Sequence, residues 1–190
     1  NPEYEASCFR QLARLKAPLG RFAVLGNHDY GHYMDEVRLQ EVTYALDAIR
    51  DAGIELLDDR AVWVEKGGER IRVGGVSDYT LGTPQWQPTA SSTKPEDLVI
   101  LLCHNPDYAE EIPAGQIDLV LSGHTHGGQV TLFGLWAPHL PSDFGQKYRG
   151  GVVQNGDTTV IVSQGIGSIF PPIRLWARPQ IVEVTLQHAT

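Results

Sequence analysis

The chain is poor in cysteine: Cys8 and Cys103 are its two thiols, too few for a disulfide framework. Cys8 falls in a helix-like stretch and Cys103 at the end of an apolar run, so both are expected as buried thiols. Positive charge is scarce as well, with 15 Lys and Arg against 23 Asp and Glu and a formal net charge of -8. That balance excludes the basic footprint of a nucleic-acid-binding protein. It leaves a phosphorylated substrate open, because bound dications would reverse the sign locally. No hydrophobic run approaches the roughly 20 residues of a membrane-spanning helix, and no signal peptide is recognised. Internal repeats and low-complexity tracts are absent too. The remainder is ordinary for a globular chain, 42% hydrophobic and 20% charged, and 190 residues suffice for a single domain over 1–190 with a real core. The first residue is Asn1 rather than Met, which raises the expectation of a processed product or a fragment.

Hydrophobic periodicity orders the elements. Asn1-Pro2 reads as an N-cap followed by the first helical position, and Tyr4, Cys8, Leu12 and Leu15 form the apolar stripe of a helix running to about Ala17. Residues 22–25 read as a short buried strand, and 35–52 as a second helix with Val42, Ala45, Leu46 and Ile49 inward and Gly53 as its stop. Strands are expected at 54–57, 61–65 and 70–76, with turns at Asp58-Asp59 and Gly67-Gly68. Residues 77–95, rich in Pro, Thr, Ser and Gln around Trp86, read as a long loop. Beyond it come the most apolar strand, 98–102, a short helix capped by Asn105-Pro106 and running through Glu111, and a buried strand at 118–121. Residues 129–133 precede a Pro-broken loop to about Tyr148, and Asn155-Gly156 marks a hairpin between 151–154 and 158–163. A last strand is expected at 181–186. With βα units first and paired strands later, the order predicts a mixed α/β sandwich with helices outside the sheets.

Three of the expected strands end in side chains able to ligate a metal. Residues 22–25 run into Gly26-Asn27-His28-Asp29, residues 98–102 into Cys103-His104, and residues 118–121 into Ser122-Gly123-His124-Thr125-His126-Gly127-Gly128. Each has a plain reading by itself: a polar turn at Asn27-His28, a satisfied core-edge histidine at His104, two solvated histidines at His124 and His126. Their recurrence shifts the balance, because buried strands of α/β folds bring their C-terminal ends to one place. Four histidines and a carboxamide converging there would be costly unless something binds them, and imidazole is the commonest protein ligand for transition metals. His32 and His139 are candidates for the rim of such a site, and His188 reads as a tail residue.

Gly26-Asn27-His28-Asp29, His104-Asn105-Pro106 and Gly123-His124-Thr125-His126-Gly127-Gly128-Gln129, in this order, resemble the calcineurin-like metallophosphoesterase superfamily. The trailing Gly-Gly-Gln, Gly165-Ile166-Gly167-Ser168, Pro171-Pro172-Ile173-Arg174 and Arg178-Pro179 are similar to its branch of bacterial membrane-associated phosphodiesterases and UDP-2,3-diacylglucosamine hydrolases. The resemblance covers nearly the whole chain. It implies a four-layer α/β/β/α sandwich and a two-metal hydrolase. By motif, Asn27, His104 and His124 would be ligands of one ion and His126 a ligand of the other. His28 would be the general acid that protonates the leaving oxygen or steadies the transition state. Two divalent ions about 3.5–4 Å apart would clamp the phosphoryl oxygens and activate a water. Mixed N and O ligands suit Mn, Fe, Zn or Co better than Ca. A carboxylate beside His28 would orient it, and Asp29 is adjacent in sequence.

The chain departs from the family pattern in one respect. Asp-x-His and Gly-Asp-x-x-Asp, which open the pattern upstream of Gly-Asn-His, are not in it; Gly156-Asp157-Thr158-Thr159-Val160 begins like the second but lacks the final Asp. The expectation is therefore a C-terminal part lacking the first βαβ unit, with the ligands of one metal ion and His126 alone for the other. Two functions remain open: a phosphoester hydrolase acting on a diester or pyrophosphate, or an inactive metal-binding or partner-binding remnant. A third, weaker reading is a module whose histidines bind nothing. The expected partner is a small phosphoester, a nucleotide-sugar or a lipid-linked substrate. Residues 169–173 with Leu175 and Trp176, flanked by Arg174 and Arg178, read either as an apolar lip for such a substrate or as cover for a sheet end. The Trp86 loop and residues 133–144 are candidates to border the site. A membrane anchor of the kind related proteins carry would precede Asn1; location and oligomeric state are not written in these residues.

Overall fold

The N-terminal region begins with the amphipathic helix α1 (Pro2–Leu12) and the two-residue strand β1 (Phe22–Ala23). The computed structural model describes residues 2–30 and 39–187. Helix α2 (Leu39–Asp51) leads to β2 (Glu55–Leu56), which pairs in parallel with β1, Phe22 opposite Glu55. The expected start of α2 at Asp35 and the capping Asn1 lie outside the described residues. Apolar residues three and four apart turn one face of α2 inward, and Leu25, Ala45 and Ile49 form a small buried cluster against Phe9, Tyr30 and Ile54. Two expectations fail here. Cys8 is exposed rather than buried, and Leu15 lies beyond the end of α1 with 60% of its surface exposed. Helix α1 meets α2 through Phe9 instead, one position along from Cys8, which turns Cys8 toward solvent. Leu46, also expected inward, is 37% exposed.

The larger region is a six-stranded sheet in the order β3 (Arg60–Lys66), β4 (Glu69–Gly75), β5 (Leu98–Leu102), β6 (Leu119–Ser122), β8 (Thr158–Val162), β7 (Gly151–Asn155). Strands β4, β5, β6 and β8 run parallel, and β3 and β7 close the two edges antiparallel. The β7–β8 hairpin turns at Asn155-Gly156, where Gly156 adopts φ +57°, a conformation that costs glycine little. Val99, Leu101, Val120, Val160 and Val162 bury one face against Tyr108, Ala109 and Ile112, at about 1.5–3 kcal/mol for each large apolar side chain removed from water. The expected long loop at 77–95 carries a four-residue helix, α3 (Gln87–Ala90), and Trp86 ahead of it packs on this core.

The two sheets abut at Gly75. A Cβ there would lie 2.3 Å from the Leu57 carbonyl oxygen and 2.6 Å from Val24 Cγ1, so only glycine allows the contact. Two expected strands do not form. Residues 129–133 make isolated bridges only, because Gln129 and Phe133 turn the chain with φ +54° and +53°. Residues 181–187 are not a strand: Ile181 is 87% exposed, and the alternating Val182, Val184 and Leu186 have no neighbouring strand among the described residues.

Candidate metal centre

Parallel pairing decides what meets. Leu102 of β5 lies opposite Leu121 of β6, so the residues just past both strands come level, and the Gly123 N–H donates to the His104 carbonyl at 3.1 Å. From the small sheet, β1 delivers Gly26 against the face of the His104 ring. A Cβ on Gly26 would stand 2.6 Å from ring atoms, which explains why a glycine precedes Asn27. Asp29 closes this turn, its Oδ2 accepting from the Gly26 N–H at 2.7 Å, and Asn27–Tyr30 continue as one 3₁₀ turn.

At the junction three potential ligand atoms converge. Asn27 Oδ1 lies 3.0 Å from His104 Nε2, and His124 Nδ1 lies 3.2 Å from the same nitrogen. A proton on His104 Nε2 can serve one of these two neighbours, and a bare Nε2 that accepts from His124 Nδ1–H faces the Asn27 oxygen lone pair, so no tautomer satisfies both contacts. The spacings match those of neighbouring donors around a single ion with bonds of about 2.0–2.2 Å. Among the described residues no group of three or more His, Cys, Asp or Glu is arranged to hold a metal; here the third donor is a carboxamide. Two imidazoles and an amide oxygen fit a borderline divalent ion by donor chemistry.

Burial drives the His104 imidazole down to about pKa 3, with His124, His126 and His28 adding repulsion to a second charge. His124 is lowered by burial, opposed in part by the Asp78 and Asp107 carboxylates. His126 is lowered by burial and then by the Arg174 guanidinium. All three are therefore held in the neutral, ligand-competent form. His28 is exposed beside them, and its charge is felt by all three.

The His-Thr-His turn is bent. His124, His126, Gly127, Gly128 and Gln129 all have positive φ, between +50° and +79°. Three of the five carry side chains, so the conformation is strained and must be imposed by its surroundings. The segment 164–177 imposes it. Gln129 Oε1 accepts from the Ile169 N–H at 2.7 Å while its Nε2 donates to the Ile169 and Pro171 carbonyls. Arg174 Nη1 donates to the carbonyls of His126 and Ala177 at 3.2 and 3.1 Å, and Nη2 to the Gln164 carbonyl at 2.8 Å. Nη2 also faces His126 Nδ1 at 3.3 Å. Gly128 admits Ala137, which would lie 2.3 Å from a Cβ.

Asn27, His104 and His124 are thus brought together, His28 is exposed near them, and His126 is turned toward Arg174. Asp157 sits in the β7–β8 turn, His139 is exposed, and His32 and His188 lie outside the described residues. Sequence reasoning assigned no role to Gln129 and read Arg174 only as a flank of an apolar lip, although both stand in motifs it singled out. It also missed Asp78, 1% exposed, whose Oδ1 accepts from the Thr80 and Leu81 N–H groups while Oδ2 has no partner among the described residues.

A profile of the calcineurin-like phosphoesterase family matches residues 2–128. The uncharacterized metallophosphoesterase YkuE of Bacillus subtilis is 33% identical over 176 residues, 93% of this chain and 59% of that protein. An uncharacterized metallophosphoesterase of Aquifex aeolicus is 34% identical over 185 residues, 94% of this chain and 65% of its own length. The phosphodiesterase YaeI of Escherichia coli is 28% identical over 165 residues, 87% of this chain and 57% of its own. The chain thus spans about three fifths of the length of these relatives. No solved structure gives a significant match.

Proposed function

The chain belongs to the calcineurin-like phosphoesterase family, and on that premise we propose that it serves metal-dependent hydrolysis of a phosphodiester or pyrophosphate. The observation that carries this reading is the approach of Asn27 Oδ1 and His124 Nδ1 to His104 Nε2, at 3.0 and 3.2 Å. In this reading those three atoms hold one divalent ion, Mn, Fe, Zn or Co, and His126 belongs to a second. When bound, such ions supply positive charge to the phosphoryl oxygens and make water more acidic. His28, exposed beside these ligands, gives its proton to the leaving oxygen. Arg174 and Gln129 keep the His124–His126 turn in its strained form, so the ligand nitrogens are aimed before substrate arrives. We take the intact arrangement to be the four-layer α/β/β/α sandwich, and the substrate to be lipid-linked or a nucleotide-sugar, in keeping with the apolar residues beside the turn.

A second reading has a specific observation behind it. The Asp-x-His and Gly-Asp-x-x-Asp motifs are not in this chain, and among the described residues no group of three or more His, Cys, Asp or Glu is arranged to hold a metal ion. On that reading the chain binds metal and does not turn over. Metal analysis and hydrolysis of bis-p-nitrophenyl phosphate with Mn present decide between them. About one ion per chain is expected, lost in both Asn27→Ala and His104→Ala, with poor turnover. Vigorous turnover abolished by His124→Ala would establish a complete site, and a chain that takes up no metal would defeat both readings.

A further inference from the structure

Ten of the twenty large hydrophobic side chains exposed among the described residues fall in two short stretches, 130–136 and 166–176. The two stretches are one surface. The Thr131 N–H donates to the Leu175 carbonyl at 3.0 Å, Val130 bridges to Leu175 and Trp176, and the Phe133 and Trp176 rings lie 5.0 Å apart. Phe133, Leu135 and Phe170 are 69%, 78% and 82% exposed. Soluble monomers rarely leave so contiguous an apolar surface to water. Phe133 and Trp176 both have positive φ, so the backbone that carries these two exposed rings is held at a local conformational cost.

Charge indicates the occupant. The chain carries 23 Asp and Glu, yet residues 129–142 and 163–182 contain none. Their two formal charges are Arg174 and Arg178; the first is taken up by backbone carbonyls, and the second is exposed. A carboxylate-free face with exposed Trp and Phe, and the exposed Arg178 guanidinium close by in the chain, complements the phosphate-bearing surface of a lipid bilayer. Aromatic rings settle at headgroup depth, no carboxylate has to be desolvated, and the cation meets lipid phosphate.

We propose that 130–136 and 166–176 together form a docking surface for a phospholipid bilayer. Gln129 and Arg174 strap this surface to the turn carrying His124 and His126, so docking presents the candidate metal centre to the headgroup layer. That last step rests on the hydrolase reading, whereas docking itself does not.

The test is co-sedimentation of the chain with phosphatidylethanolamine/phosphatidylglycerol vesicles and, separately, with phosphatidylcholine vesicles, at millimolar lipid and without substrate. The chain is expected to pellet with both, more strongly with the anionic vesicles, with tryptophan emission shifted to the blue. The double variant Phe133→Ser/Leu135→Ser should partition about tenfold less with an unchanged unfolding curve, and Phe170→Ser, in the second stretch, should also weaken it. Arg178→Glu should cost about fivefold on anionic vesicles and little on neutral ones. Retention in the supernatant with both vesicle types overturns the proposal, as does a double variant that pellets like the parent. A concentration-dependent doubling of mass, lost in the double variant and without vesicle binding, would assign the surface to a second copy and overturn it equally. None of these outcomes bears on metal-dependent hydrolysis, which is read separately.

Discussion

The two sheets contribute very unequally to the fold, yet both supply the candidate centre. Among the described residues, the six-stranded sheet gathers twelve buried residues in its main cluster, while the region of β1 and β2 gathers three. Yet one donor, Asn27, comes from the small region, and two, His104 and His124, come from the large one. His104 and His124 inherit their spacing from parallel register; Asn27 is placed by the fit of Gly26 on the His104 ring and of Gly75 on Leu57. The difference teaches that the weaker region is positioned by close contacts at the seam rather than by its own core. An ion bridging the two would stabilise the small region most, because binding energy held in both parts opposes their separation.

The largest effect is expected in the large core. Leu101 is fully buried in the middle of the six-stranded sheet, so Leu101→Ala should cost about 4 kcal/mol and lower the global unfolding midpoint in urea. Ile49→Ala, in the small cluster, should cost about 2 kcal/mol, and hydrogen exchange should show faster opening of α2 with β5 and β6 unaffected. Equal protection of both regions would dissolve the distinction between them. Next comes the seam. Gly75→Ala drives a Cβ into the Leu57 carbonyl oxygen, a backbone atom that cannot swing away, and about 3 kcal/mol should be lost. Gly26→Ala meets the His104 ring, which can tilt, so the expected loss of stability is smaller. Its signature is separation of His104 from Asn27, read as about tenfold weaker divalent-metal binding by calorimetry. Unchanged affinity would show that Asn27 is not a ligand.

Much of the centre was legible because apolar runs announce where strands stop. Residues 22–25, 98–102 and 118–121 each end in a polar or glycine-rich turn, and parallel pairing makes such ends neighbours. The contacts that hold the centre were not legible, since they join residues far apart. Arg174 reaches His126 across 48 positions, and the need for glycine at 26 and 75 comes from a ring and a carbonyl elsewhere in the chain. Positive φ at His124, His126 and Gln129 carries no local mark, since those residue types occur freely elsewhere. Residues 181–186 failed for the opposite reason. Their alternation is that of a half-buried strand, but a strand exists only beside a partner, and none adjoins them among the described residues.

Acid gives the gentlest way to separate the two regions. The folded His104 titrates down at about 3, against an ordinary value of 6.5, chiefly because it is buried. Between those values the unfolded chain binds a proton that the folded chain declines, so stability is complete above about pH 6.5 and declines as the pH falls toward about 3. His124 and His126 are shifted in the same direction by the same cause. The slope should be on the order of 1 kcal/mol per pH unit from His104, seen as a falling urea midpoint between about pH 6.5 and pH 5. His104→Gln should flatten it, because glutamine does not titrate; an unaltered slope would locate the acid sensitivity elsewhere. Added divalent metal should steepen the decline, since protons compete with the ion for the same lone pairs. Because His104 lies at the seam, a proton forced onto it should part Gly26 from the ring before it disturbs β5. Hydrogen exchange should therefore register acid first at residues 22–30, while the parallel strands keep their protection.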